Sequence, residues 1–301
     1  MKLNRLIFVF AMMVPAMAQA ENCNEADRLF NSSLKESTGQ ESLLRQAIKV
    51  CPVHVDALNN LAVLLERQGK LEEARKLYDD LTNKQPDFAP GYAGLGDVLA
   101  AMGKFTAASW VYNSFLDLLT AELQAQRPSP YQKHRATYQT KLAEVQRRIQ
   151  PETVVAANDV GSFLNASAVT VRGKRGKREL VRAPQVEIAL NFVPGSGEMT
   201  QTTRAQLEQL AQALTAPKLV KSRFRIEGHV DPADGIPDEQ QVRSLSHAEQ
   251  VRKVLTTQYQ IAEERLEVAG QGGKRPFSQE RNVHSQALNR RVTIIHLGDG
   301  A

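Results

Sequence analysis

Ile226-Glu227-Gly228-His229-Val230-Asp231-Pro232-Ala233-Asp234-Gly235 joins an alternating segment to a turn and then to a helical one. Upstream, Val220, Phe224 and Ile226 are set against Lys221, Arg223, Arg225 and Glu227, a period of two that predicts a strand with one buried face. Downstream, Ala248, Val251, Val254 and Leu255 recur at helical spacing, as Leu207, Leu210, Ala211 and Leu214 do before the strand. Two further alternating runs, Val186/Ile188/Leu190/Phe192 and Val292/Ile294, complete a sheet with helices on one face. Polar groups gather in the stretch from Gly228 to Gly235, where a strand's end meets a helix start, and ligands commonly bind at such places.

These residues fall in a longer order. Gly228-His229-Val230-Asp231, Gly235, Ser244-x-x-His247-Ala248-x-x-Val251, Gly270-x-Gly272, Pro276 and Asn289-Arg290-Arg291-Val292 resemble the OmpA-like C-terminal domain over about 110 residues. The resemblance implies a β-α-β-α-β-β sandwich of a mixed sheet and helices. It also implies non-covalent binding of the peptidoglycan stem peptide, a loop Asp and a helix Arg holding its diaminopimelate, and no catalytic role. Asp231 matches the loop Asp, and a carboxylate there suits an ammonium group. The family's helix Arg falls at His247, its Leu at Arg243 and its Asn at Gln240, and Val230 replaces the usual Thr. His lacks the planar, permanently charged fork of Arg, so the expected affinity is weaker or pH-dependent. Arg243, one turn earlier, is a candidate to compensate, and Arg291 is a candidate from the last motif. Other roles fit the same residues: Asp231 in Asp-Pro-Ala-Asp-Gly suits a plain turn or helix cap, and Arg290-Arg291 suits a solvated strand edge.

The chain begins with Lys2 and Arg5, an apolar run from Leu6 to Met17, and Ala18-Gln19-Ala20, the pattern of a secretory leader over residues 1–20. No later stretch has the length of a membrane span, and Ala20-Glu21-Asn22 before Cys23 is not a lipoprotein pattern, so a periplasmic address in a Gram-negative envelope is expected, against the cell wall or outer membrane. Both cysteines, Cys23 and Cys51, lie in one exported segment, and a disulfide is the default expectation. A helix pair over about 24–36 and 41–50 would bring them side by side.

Within residues 21–150 a repeat is visible. Leu58, Leu61, Ala62, Leu65, Gly69, Ala74, Tyr78 and Leu81 return 34 residues later as Tyr92, Leu95, Gly96, Leu99, Gly103, Ala108, Tyr112 and Phe115. This spacing resembles the tetratricopeptide repeat, which implies stacked helical hairpins with a concave surface for a protein partner. The fold class expected for the chain is therefore α+β, with an all-α repeat region ahead of the OmpA-like domain at 185–301. Trp110 cannot share the face of Tyr112, and an exposed Trp110 would favour a partner contact. A polar helix from Tyr131 to Ile149 is expected to cap the array. Residues 151–184 read as a linker with a short helix (154–164), a short strand (169–171) and a solvated basic loop, Arg172 to Arg178, suited to anionic surfaces.

Composition excludes other classes. The 38 Lys and Arg against 33 Asp and Glu become 36 against 33 once the leader's Lys2 and Arg5 are removed, too mild a balance for nucleic acid. The sequence has no Gly-rich phosphate loop, nucleophile elbow or paired-Cys metal motif, and His54, His134, His284 and His296 are scattered, so no enzyme, metal or cofactor is expected. Two functions remain: an envelope adaptor that binds peptidoglycan and recruits a protein, or a scaffold of an envelope or secretion assembly whose wall site has decayed.

Overall fold

The computed structural model describes residues 16–36, 38–172, 177–191 and 198–300. Residues 1–15 of the expected leader, Phe192, and the centre of the basic run (173–176) lie outside the described residues. The chain forms two compact units, Met1–Lys70 and Leu71–Ala301, divided inside the repeat array.

The first unit holds helices α1 (Ala16–Ser33), α2 (Gln40–Val50) and α3 (Val55–Arg67). Ala26, Leu44, Ala47, Leu58, Leu61 and Leu65 are fully or almost fully buried, the inward stripe that the helical spacing predicts. Cys23 and Cys51 are bonded, with Cα atoms 4.9 Å apart, so the disulfide ties α1 to the residue that follows α2. The His54 ring caps α3 by accepting from the Ala57 N–H at 3.2 Å.

The second unit opens with α4 (Leu71–Lys84), α5 (Ala89–Ala101), α6 (Phe105–Gln124) and α7 (Arg135–Arg148), each packed on the next. Gly96 is required where it stands, because a Cβ there would run into the Tyr112 ring. Helix α7 is fixed to α5 and α6 by one carboxylate. Asp97 accepts from Tyr112 Oη at 2.7 Å, from Tyr138 Oη at 2.9 Å, and from Lys141 Nζ at 2.7 Å. Trp110 is buried at 2 % exposure, so the sequence condition for a tryptophan-based partner contact is not met.

Helix α8 (Ala157–Leu164) and the antiparallel hairpin β1 (Val169–Arg172) and β2 (Arg178–Arg182) occupy the region expected to be a linker. The short helix and the short strand expected there are both present, and the stretch is packed. Phe163 stands edge-on to Trp110 at 5.1 Å, Lys104 Nζ meets Asp159 at 2.9 Å, and Asn83 both accepts from the Ser167 N–H and takes the Ser167 hydroxyl on its carbonyl, each at 2.8 Å. On the other side, Gln206 and Gln209 accept from the N–H groups of Val155 and Ala157 at 2.6 and 2.9 Å.

The remainder is β3 (Gln185–Ala189), α9 (Gln201–Thr215), β4 (Ser222–His229), α10 (Pro237–Tyr259), β5 (Leu266–Gly270), a short α11 (Val283–Asn289) and β6 (Arg291–Asp299). The strands form one mixed sheet in the order β3-β6-β4-β5, with only β4 and β5 parallel. This is the β-α-β-α-β-β order implied by the resemblance, with α11 added before the last strand. Val186, Ile188, Phe224, Ile226, Val292 and Ile294 are buried with Leu207, Leu210, Leu214, Ala248, Val251 and Leu255. Val220 stays outside β4 and is exposed, so the strand starts two residues later than the alternation suggests. Among the described residues no helix is long and apolar enough to cross a membrane.

Candidate functional site

Where β4 ends, α10 lies against the sheet, and the sequence permits this approach at one residue in particular. A Cβ on Gly228 would overlap the Ser244 carbonyl of α10. Because Gly228 faces α10, its neighbours His229 and Glu227 point to the opposite face of the sheet. The register pairs Gly228 with Val292, His229 with Arg291 and Glu227 with Thr293, so β6 splits in the same way.

Asp231 sits just beyond this point and is 4 % exposed. Its Oδ1 accepts from the Ala233 N–H at 2.8 Å, closing a tight turn, and its Oδ2 accepts from Asn289 Nδ2 at 2.7 Å. Asn289 is itself held by Ser278, accepting from its N–H at 2.9 Å and donating to its carbonyl at 3.1 Å. Three residues on, Asp234 takes a two-pronged pair from Arg290, Nε to Oδ2 at 2.8 Å and Nη2 to Oδ1 at 2.6 Å. Burial works to raise the Asp234 pKa, but the hydrogen bonds and charge of Arg290 outweigh it and hold the carboxyl below its usual range. Gln240 fastens the turn to α10, donating at 2.8 Å to the carbonyls of Pro232 and Gly235.

The four residues singled out by sequence divide three to one. Asp231, His247 and Arg243 gather at this end of the domain: His247 feels the charges of Arg243, Asp234 and Arg290, and Arg290 feels that of Asp231. His247 is buried, and burial pushes its pKa below the ordinary value, with the His229 backbone acting against this and the Arg243 charge adding to it. Arg243 is exposed at the edge of the cluster. Arg291 is elsewhere, on the sheet face turned away from α10, with Nε 3.7 Å from Glu187 and Nη2 donating to the Arg275 carbonyl at 2.9 Å. Its neighbour Arg290 takes the place at the cluster instead. Asp234 and Asn289 also belong to it. Both stand in the quoted motifs, but nothing in their spacing reports that the turn after β4 and the end of α11 adjoin.

The cluster has two carboxylates, two guanidiniums, a neutral imidazole and two amides at one edge of a sheet. Asp234 and Arg290 pair with each other and Asp231 is held by internal donors, while Arg243 stands exposed at the edge. Among the described residues no group of three or more His, Cys, Asp or Glu is arranged to hold a metal ion.

Residues 191–290 match the family model described as OmpA family, and residues 43–76 match a tetratricopeptide repeat model. Human protein O-mannosyl-transferase TMTC3 is 33% identical over 75 residues, 25% of this chain and 8% of that protein's length. Among solved structures, the periplasmic domain of Helicobacter pylori MotB is similar at 17% identity, over 44% of this chain and 88% of that one, with a TM-score of 0.34. The peptidoglycan-associated lipoprotein from Burkholderia pseudomallei is similar at 23% identity, over 36% of this chain and 88% of that one, with a TM-score of 0.32.

Proposed function

We propose that this chain, which joins a tetratricopeptide repeat to an OmpA family domain, is an exported envelope adaptor that holds peptidoglycan through the cluster at the end of β4. The observation that carries this reading is the meeting of Asp231 and the Asp234–Arg290 pair with the exposed Arg243 at a position the family resemblance assigns to ligand. Diaminopimelate presents an ammonium and a carboxylate on one carbon. A carboxylate beside a guanidinium answers both. In this reading Arg243 supplies the charge that His247 lacks, and Asp231 or Asp234 takes the ammonium. The repeats supply a helical surface for a protein partner, and the leader at residues 1–20 sends the chain to the periplasm.

The scaffold alternative has its own support. Both oxygens of Asp231 are already accepting, Asp234 and Arg290 satisfy one another, and burial favours a neutral His247. A ligand would have to displace internal partners. Co-sedimentation of the full chain with purified sacculi separates the readings. Arg243→Ala, an exposed change outside the internal pairs, is expected to release most of the bound protein while leaving the melting temperature unchanged. Failure of the parent protein to sediment would leave the scaffold.

A further inference from the structure

On the sheet face turned away from α10 lies a cavity of about 470 Å³, within the range of small-molecule sites. The sheet supplies Glu187, Glu227, His229, Arg291 and Thr293, and Arg275 stands at the rim. These are unusual residues for the covered face of a sheet. Glu227 is 7 %, His229 2 % and Arg291 5 % exposed.

Asp117, Glu187 and Glu227 line the cavity with Arg182, Arg275 and Arg291, but at its covered floor, away from the Arg182–Asp117 pair and the exposed Arg275, two carboxylates stand with one guanidinium. Arg291 faces Glu187 at 3.7 Å through Oε1, while Glu187 Oε2 is buried with no hydrogen-bond partner among the described residues. Glu227 has no ion pair among the described residues. His229 donates to or accepts from Thr293 Oγ1 through Nε2 at 3.0 Å, and its Nδ1 is buried without a partner among the described residues. Its burial, with the charges of Arg291 and Arg275, pushes its pKa down to about 2, so it adds no positive charge. Buried Glu227 and the largely covered Glu187 therefore share one buried guanidinium. Such an excess is costly unless a cationic donor completes it. A metal ion suits the place poorly, because Arg291 shares it and no metal-binding group of side chains is present among the described residues. An ammonium group suits it well, since it can donate to both carboxylates. At the rim Arg182 is occupied by Asp117 at 2.6 Å, whereas the exposed Arg275 side chain has no ion pair among the described residues and can take an anion.

We propose that this cavity binds a small zwitterion of amino-acid to dipeptide size, its ammonium held between Glu187 and Glu227 and its carboxylate by Arg275. The site is separate from the cluster at Asp231 and lies on the other face of the sheet, so it stands whether or not the domain holds peptidoglycan.

Titration calorimetry of the full chain with alanyl-alanine, its N-acetyl derivative and its C-terminal amide tests the assignment. The free dipeptide is expected to bind at least tenfold more tightly than the acetylated form. Glu227→Gln is expected to remove that preference, and Arg275→Ala to weaken the acid while leaving the amide unchanged. A measurement without ligand runs in parallel: Glu227→Gln removes one of two carboxylates that share a single guanidinium and should raise the melting temperature. Absence of binding at millimolar dipeptide, equal binding of the acetylated form, or a lowered melting temperature in Glu227→Gln would overturn the proposal.

Discussion

Replacing Asp231 by Asn changes one atom type and tests how the loop after β4 is held. The two carboxylate oxygens face two donors, the Ala233 N–H at 2.8 Å and Asn289 Nδ2 at 2.7 Å. An Asn side chain has one oxygen and one NH₂, so either rotamer sets a donor against a donor. Asn289 cannot turn over to relieve this, because its amide is fixed by both backbone groups of Ser278. One charge-assisted bond is lost, worth about 1.5–3 kcal/mol, and a buried donor is left unsatisfied, so a destabilisation of about 2–4 kcal/mol is expected. Urea unfolding by linear extrapolation reads this directly. The swapped pair Asp231→Asn with Asn289→Asp should recover part of the loss, since the amide introduced after β4 can then donate to the carboxylate introduced on α11 while its oxygen accepts from Ala233. A coupling of about 1–2 kcal/mol is expected from the cycle. An Asp231→Asn protein as stable as the parent, or strict additivity in the cycle, would refute this account of how the loop is held.

Three other perturbations follow from the same geometry. Gly228→Ala drives a methyl into the Ser244 carbonyl, and because the obstacle is backbone the cost should reach about 3 kcal/mol or more, seen as a lowered urea midpoint. Phe163→Ala removes the ring that stands against Trp110, the chain's single tryptophan, so its emission should shift to the red with a loss of about 1–3 kcal/mol; unchanged emission would mean that α8 does not cover it. Burial raises the Asp79 pKa to about 6, Arg75 pulling against this and Asp159 adding to it. The folded state thus favours the neutral acid: this contribution is complete below about pH 4 and is lost as pH rises through 6. Asp79→Asn should flatten the stability profile between those limits, and carboxyl NMR shifts should place the midpoint.

What the sequence showed, and what it hid, divides along physical lines. Periodicity located β4, β6, α9, α10 and the second repeat because each buries one continuous face, as Phe224, Ile226, Val251 and Leu255 do. It did not single out β5, whose Leu266 is buried but whose next four residues are only half covered at the sheet's edge. Asp231 was legible because turn chemistry and motif order coincide there. The Asp234–Arg290 pair was not, since it joins residues 56 positions apart through the meeting of two chain segments. Arg290 and Arg291 are adjacent, so alternation must send their side chains to opposite sides. Choosing between them required the register that places Gly228, and hence Val292, against α10.

The stretch read as a linker carries the short helix and the short strand expected in it, and its residues pack on both neighbours. Residues 157–167 pack on the helices, with Asn83 accepting from the Ser167 N–H and hydroxyl, Trp110 meeting Phe163 and Lys104 meeting Asp159. A partner that docks on this face competes with these contacts. Two hydrogen bonds, one aromatic pair and one partly exposed ion pair come to roughly 3–4 kcal/mol. That is a loss of several hundredfold in apparent affinity. Val155 and Ala157 are held to Gln206 and Gln209 of α9 by three hydrogen bonds, which freeing the chain back to Val155 would also break. If the proposed partner of the repeats binds that face, its binding and the contacts of α9 are linked.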